Sequence, residues 1–349
     1  MDDDRAEVDG RRADGGDGYG ARLRDLIAAD EVYVSPGVHD PLSARVVDGL
    51  DFDLVSMTGN GTSVARLGMP DAGLITLPEM VENARRIQET VDVPVIADAD
   101  NGYGNAINVV RTTREFATAG VAGFHMEDQV FPKRCGHEAG KRIVDRDGAV
   151  GKVRAAAETR DEHAPEMVVI ARTDARGAEN GSLDEAIDRA NAYCAAGADM
   201  AFLQGPEDRA EVDRIGREVD APLLYNVSGS SPKIPPDELA DIGFDLVMYP
   251  RLSSLATILG VREAATALGR DPGAALADLQ AEFDDLPYGG FNEFAGFDRV
   301  REYERRYGPD AVEADGDGGG VGADGGRDGD GGSIGRNGDG ADGPDGDGN

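Results

Sequence analysis

Apolar residues in this chain gather into short runs, separated by longer stretches in which they recur every three or four positions. The runs are Val32–Val38, Asp53–Thr58, Val93–Asp98, Gly123–Glu127, Met167–Thr173, Met200–Leu203, Pro222–Val227 and Leu246–Tyr249. Bounded by Gly, Pro and Asp, they predict strands. The periodic stretches predict amphipathic helices over Leu77–Thr90, with Pro78 at its start, and over Ala106–Ala119, Val150–Arg160, Leu183–Ala196 and Asp208–Val219. Strands alternating with helices imply a parallel sheet, and eight of them imply a closed α/β barrel, the (β/α)8 or TIM type. A doubly wound open sheet would need a glycine-rich phosphate turn after the first strand. Ser35-Pro36-Gly37-Val38-His39 does not supply one.

After the eighth strand the pattern continues through Leu252–Leu268, Ala274–Leu286 and the Phe/Tyr-bearing Phe291–Tyr307, more helix than one barrel unit requires. That surplus apolar surface needs a partner, and an adjacent subunit is the natural one. The ends read differently. Residues 1–20 are rich in Asp, Arg and Gly, and residues 313–349 are almost wholly Gly and Asp. Neither can bury enough apolar surface to offset the entropy of ordering, so both are expected to be disordered around one domain over 21–312. The tail lacks the register of calcium-binding β-helix repeats.

Composition narrows the partners. The formal net charge is −33 in 349 residues, with only four lysines (Lys133, Lys141, Lys152, Lys233) among 35 basic residues. Such a surface repels nucleic acid and anionic membranes, and suits a halophilic protein in concentrated salt, where screening shortens the reach of self-repulsion. No apolar run reaches the length of a membrane span and the N-terminus lacks a signal pattern, so a cytoplasmic enzyme is expected. Two cysteines without framework spacing, Cys135 and Cys194, point to free thiols.

Candidate chemistry concentrates in Phe124–Lys141, FHMEDQVFPKRCGHEAGK. Cys135 beside Lys133, Arg134 and His137 can act as nucleophile or proton donor, because neighbouring positive charge favours the thiolate. Upstream, Val93–Ala97 ends in Asp98-Ala99-Asp100. Strand alternation places Asp98 and Asp100 on one side, where two carboxylates need a cation between them, and a hard divalent ion such as Mg²⁺ (or Mn²⁺) is the usual one. Further polar residues end the other strands: Thr58-Gly59-Asn60, Glu127, Arg172, Gln204, and Asn226 with Ser228 and Ser230. In a barrel, catalytic groups sit at that rim. Arg172 and Asp174 could equally form a rim ion pair, and His125 reads as a packed core histidine.

The segments Asp98–Gly104, His125–Gln129, Lys133–Lys141 and Ala171–Ala175 resemble the isocitrate lyase and phosphoenolpyruvate mutase superfamily. The KRCGH run is similar to the active-site loop of its carbon–carbon lyase branch. The resemblance spans about residues 22 to 300. It implies a Mg²⁺ site at Asp98, Asp100, Glu127 and Asp71, and an α-keto acid whose carboxylate is bound by Thr58, Gly59, Asn60 and Arg172. It also implies a proton donor at Cys135, tuned by Lys133, Arg134 and His137, with Gly136 and His137 on the substrate. A small di- or tricarboxylate is the implied substrate. Tyr225-Asn226-Val227-Ser228-Gly229-Ser230 is similar to the N-x-S-x-S element of isocitrate lyases, so cleavage of isocitrate to glyoxylate and succinate, the glyoxylate-cycle reaction, is the expected activity. The alternatives are 2-methylisocitrate and an oxaloacetate- or dimethylmalate-type acid. At the end of strand six the chain has Gln204 where the family usually has glutamate, which leaves a non-enzymatic barrel as a further alternative. The family also implies a homotetramer in which a C-terminal helix crosses to a neighbouring subunit.

Overall fold

The computed structural model describes residues 18–136, 138–229 and 231–308. Eight parallel strands close into a barrel in sequence order: β1 Tyr33–Val38, β2 Val55–Met57, β3 Val95–Asp98, β4 Gly123–Glu127, β5 Val168–Thr173, β6 Met200–Leu203, β7 Leu223–Asn226 and β8 Leu246–Tyr249. The closing pair is β1 with β8, in register from Tyr33 against Leu246 to Pro36 against Tyr249. The expected (β/α)8 barrel is therefore present, with each predicted strand within two residues of its observed bounds.

Strand alternation divides the core into two layers. Val55, Met57, Val95, Ala97, Phe124, Met126, Val169 and Ala171 face the surrounding helices in one cluster. The alternate positions Leu54, Ile96, Val168, Ile170, Met200, Phe202, Leu224, Leu246 and Met248 fill the barrel interior. Continuing the inward series by two residues reaches Asp98 after Ile96, Arg172 after Ile170, Gln204 after Phe202, and Asn226 after Leu224. In β4 the inward series runs through His125 to Glu127. The same parity that packs the interior therefore raises a polar ring at the C-terminal rim.

The helices follow local signals. In α1 (Tyr19–Ala28), Leu23 is buried beneath the barrel with Tyr19, Leu26 and Ile27 beside it. That helix begins inside the segment 1–20 expected to be unstructured, because four apolar side chains at helical spacing reach the barrel floor. Residues 1–17 and the tail 313–349 lie outside the described residues. The next helix, α2 (Pro41–Asp48), starts with a capping box at Asp40. Thr58 accepts from the Gly61 amide and caps α3 (Gly59–Leu67). The series continues with α4 (Leu77–Gln88), α5 (Ala106–Ala119), α6 (Arg146–His163), α7 (Leu183–Ala195), α8 (Arg209–Glu218), α9 (Pro236–Ile242) and α10 (Leu252–Arg270).

Two compact units divide the chain after Thr266. The second contains α11 (Pro272–Asp284), α12 (Phe291–Phe294) and α13 (Phe297–Tyr307), with Phe283, Tyr288, Phe291 and Phe294 clustered together. The Phe/Tyr-bearing segment Phe291–Tyr307 forms two helices parted at Gly296, whose φ of 91° is left-handed. Among the described residues, no helix is long and apolar enough to cross a membrane.

Candidate active site

The acidic side of the rim is built by β2, β3 and β4. Asp98 accepts the Gly59 amide on Oδ2 at 3.0 Å and the Asp100 amide on Oδ1 at 2.9 Å. A Cβ on Gly59 would overlap the Asp98 carboxylate, so α3 can begin here only with glycine. Asp100 is not the next inward strand residue. The strand ends at Asp98 and Asp100 takes a left-handed φ of 46°. A turn closed on the Asp98 side chain, rather than strand alternation, brings it to the cluster.

Lys133 is buried within this cluster. Its ammonium lies 2.6 Å from Asp100 Oδ1 and contacts Asp71 Oδ1. The expectation that Lys133 tunes Cys135 is thus corrected: two carboxylates draw the side chain down into the rim. Burial, together with the charges of Asp98 and Asp71, lifts Asp100 to about 7 against the pull of Lys133. Burial likewise lifts Glu127 to about 8, although Arg172 and Lys133 oppose it. Asp98 is held below the usual carboxylate range, because His125, Lys133 and Arg172 outweigh the effect of its burial.

Opposite stands Arg172, buried, with Nη1 3.1 Å from Glu127 Oε2 and Nε 2.9 Å from Asp174 Oδ2. Its guanidinium lies over the Phe202 ring at 5.2 Å. Lys141 donates to Asp174 at 2.9 Å and to the Gly136 carbonyl at 2.5 Å, tying the cysteine loop to β5. Asp128 sits behind, accepting from Thr173 Oγ1, the Asp174 amide, Arg189 and Tyr193. These donors satisfy a carboxylate that burial otherwise pushes upward.

Cys135 is half-buried, and Asn60 Nδ2 donates to its Sγ at 3.7 Å. Gly136 touches the ends of Arg172 and Gln204 so closely that a Cβ would lie 2.9 Å from Gln204 Cγ. Arg134 turns away, donating to the Ala139 carbonyl at 2.5 Å, and its backbone is held by Gln129. It does not line the cavity, which corrects its expected place beside the thiol. His125 is buried as expected, edge-on to Phe202 at 5.7 Å, yet it also lines the cavity 3.8 Å from Asp98. Burial holds its imidazole below the usual histidine range. Gln204 accepts from Asn226 Nδ2 at 2.9 Å. His137 and Ser230 lie outside the described residues.

Thr58, Gly59, Asn60, Asp71, Asp98, Cys135, Gly136, Arg172, Gln204, Asn226 and Ser228 all line one cavity of about 50 Å³. Sequence reasoning missed Met248, Pro250 and Arg251, which line it too. The parity of β8 could have flagged Met248 and Pro250. Asp100, Glu127 and Lys133 stand behind the lining residues.

The donor set can be judged for a hard divalent ion. Glu127 Oε1 is buried without a hydrogen-bond partner, and Asp71, Asp98 and Asp100 supply further carboxylate oxygens nearby. Among the described residues, however, no three acidic, His or Cys groups converge closely enough to hold an ion. Lys133 fills the space between Asp71 and Asp100 with its own positive charge. The chemistry of the oxygens fits Mg²⁺ or Mn²⁺, with Lys133 as the group that must yield.

A closed parallel barrel with acids, an arginine, amides and a thiol gathered on one cavity at its C-terminal rim defines a (β/α)8-barrel enzyme. The chain belongs to the phosphoenolpyruvate phosphomutase family, whose pattern matches residues 23–268, within the superfamily that also holds the isocitrate lyases. It is 41% identical to 2,3-dimethylmalate lyase of Eubacterium barkeri over 82% of this chain and 97% of that protein. It is 40% identical to 2-methylisocitrate lyase of Aeropyrum pernix over 66% and 73% of the two chains. Identity to isocitrate lyase of Haloferax volcanii is 35% over 83% and 87%. A crystal structure of 2,3-dimethylmalate lyase superposes with a TM-score of 0.77 at 37% identity, covering 86% of this chain and 98% of that one. Phosphonopyruvate hydrolase, solved with oxalate and Mg²⁺, superposes with a TM-score of 0.73 at 28% identity, covering 83% and 99%.

Proposed function

We propose that this chain is a carbon–carbon lyase that cleaves a 2-hydroxy acid of the 2-methylisocitrate or 2,3-dimethylmalate type into an α-keto acid and a saturated acid. The observation that carries the reading is the convergence of Cys135, Arg172 and Asp98 on one cavity. Isocitrate, the substrate expected from Asn226-Val227-Ser228, has less support, since the isocitrate lyase match is 35% identical against 41% and 40% for the other two.

Cleavage needs three things: a clamp on the keto-acid carboxylate, a base for the hydroxyl proton, and an acid for the carbanion. The Arg172 fork and the Thr58–Asn60 segment, whose Gly59 amide is already given to Asp98, supply the clamp. A carboxylate of the rim cluster takes the hydroxyl proton. The bond between the carbinol carbon and its neighbour then breaks, and its electron pair passes into an enediolate of the leaving acid. Cys135 delivers a proton to that carbon, with Asn60 orienting the sulfur. The Gln204–Asn226 pair and Ser228 donate to the second carboxylate. A divalent ion at Asp71, Asp98, Asp100 and Glu127, when bound, adds positive charge beside the oxyanions. Gln204 donates and accepts hydrogen bonds where a glutamate would only accept, so this position binds rather than removes a proton.

The cavity of about 50 Å³ has room for a few waters. A diacid or triacid therefore enters only after the loop around Gly136 moves outward, and its return excludes water from the enediolate. We further propose a homotetramer acting in the cytoplasm in concentrated salt. In α10, Leu255, Ile258, Leu259 and Val261 are all more than half exposed, apolar surface suited to a second copy.

Turnover of purified protein with Mg²⁺ in concentrated KCl, against isocitrate, 2-methylisocitrate, oxaloacetate and 2,3-dimethylmalate, tests the proposal. Release of pyruvate from the two methyl-bearing acids is expected. Silence toward the whole panel would leave a binding barrel rather than an enzyme.

A further inference from the structure

The cavity wall after β7 and β8 carries a cation that the reaction as derived does not use. Arg251 follows the last barrel strand and lines the cavity with Asn226, Ser228 and Pro250. Among the described residues, its exposed guanidinium makes no hydrogen bond or ion pair. It stays unpaired at the cavity wall although the chain has 68 acidic residues against 35 basic ones. On the outer helices Arg85, Arg146, Arg209 and Arg214 are each held by carboxylates. An unpaired cation at the mouth of an anion site is free to meet a ligand.

Its backbone is fixed even though its side chain is not. Gly37 in β1 packs directly on Pro250, so that a Cβ there would fall 2.5 Å from the Pro250 Cα. Two residues beyond Arg251, Ser253 shares a 2.7 Å hydrogen bond with Nδ1 of buried His39. Arg251 is clamped to the end of β1 from both sides. The cavity is thereby divided by charge: Asp71 and Asp98 stand on the β2–β3 side, and Gln204, Asn226, Ser228 and Arg251 on the β6–β8 side.

The two substrate types proposed above share a carbinol carbon bearing a methyl and a carboxylate, and a neighbouring carbon bearing a second carboxylate. They differ in one substituent on that neighbouring carbon, methyl in 2,3-dimethylmalate and carboxymethyl in 2-methylisocitrate. Arg172 with the Thr58–Asn60 segment accounts for the first carboxylate, and Asn226 with Gln204 and Ser228 for the second. Among the described residues, the third has a counterpart only in Arg251. We infer that Arg251 is the specificity residue that receives the outer carboxylate of a tricarboxylic substrate, so that this chain prefers the carboxymethyl acid to its methyl analogue. This rests on the lyase reading above.

The test has two arms. In the first, kcat/KM is measured for 2-methylisocitrate and for 2,3-dimethylmalate with the wild type and Arg251→Gln. Loss of a charge-assisted fork lowers the ratio of the two by about 10- to 100-fold, mainly through KM for the tricarboxylate. Arg251→Lys restores part of it. In the second arm, thermal unfolding with Mg²⁺ is followed on adding succinate or propionate, the saturated acids the two substrates release. Succinate is expected to stabilise the wild type more than propionate does, and to lose that advantage in Arg251→Gln. An unchanged substrate ratio overturns the inference even if both acids are cleaved. If neither acid is cleaved, the lyase reading fails and the second arm decides: loss of the succinate advantage upholds Arg251 as a carboxylate receptor, and equal protection in both proteins overturns it.

Discussion

Arg172 and Asp174, two positions apart where β5 leaves the barrel, form a two-point ion pair with Nε 2.9 Å from Oδ2 and Nη2 3.2 Å from Oδ1. Lys141 completes the carboxylate at 2.9 Å. Asp174 thus sets the guanidinium plane that faces the cavity, and it does so while fully buried.

The pair has a pH signature. Burial would raise Asp174, but Arg172 and Lys141 prevail and hold it at about 2, below its ordinary 3.8. A depressed carboxylate contributes stability that is present above the unfolded value and lost as pH falls through the folded one. Asp174→Asn is expected to cost about 3 kcal/mol at neutral pH, because two buried cations lose their partner. In urea unfolding the gap to wild type should persist above pH 4 and close as pH falls from 3.8 towards 2. A gap independent of pH would show that the charge of Asp174 does not matter.

Cys135→Ser should lower kcat by at least about 100-fold with the fold intact, since a hydroxyl is too weak an acid to protonate an enediolate. Steady-state turnover beside circular dichroism checks both halves. A serine variant with wild-type kcat would make the thiol structural.

Asp98→Ala and Asp100→Ala should each abolish turnover and weaken Mn²⁺ binding by at least about 10-fold, read by calorimetry. Wild-type turnover should stop in excess EDTA and return with Mg²⁺. Full activity in EDTA would remove the metal from the mechanism.

Gly136→Ala would place a methyl against the ends of Arg172 and Gln204. Both are already held, by Asp174 and by Asn226, so the loop cannot seat. A fall in kcat/KM of about 10-fold with little change in melting temperature is expected. A large loss of stability would mean instead that the glycine supports the barrel itself.

Truncation before Ala274 should break the proposed tetramer and its activity, whereas removal of the residues after Ala314 should leave both. Light scattering in concentrated salt, paired with turnover, distinguishes the cases. An active monomer, or loss of activity on removing the tail alone, would refute the assembly.

The sequence by itself determined the barrel and most of its rim. Apolar runs and helical periodicity are local properties, so β4, β6 and β8 could be bounded to the residue from the chain alone. Strand parity then carried Asp98, Arg172, Gln204 and Asn226 upward from the packed interior. Only the tertiary structure decided what loops and ring closure bring together. Asp100 reaches the acid cluster through a left-handed turn on Asp98, a backbone choice that alternation does not encode. Lys133 turns from its neighbour Cys135 to Asp71 and Asp100, because buried carboxylates attract an ammonium more strongly than a half-exposed thiol does. Asp128 finds Arg189 and Tyr193 sixty-odd positions away, on α7. Arg251 enters the site only because β8 closes against β1, a pairing that joins the two ends of the barrel and has no signature within either segment.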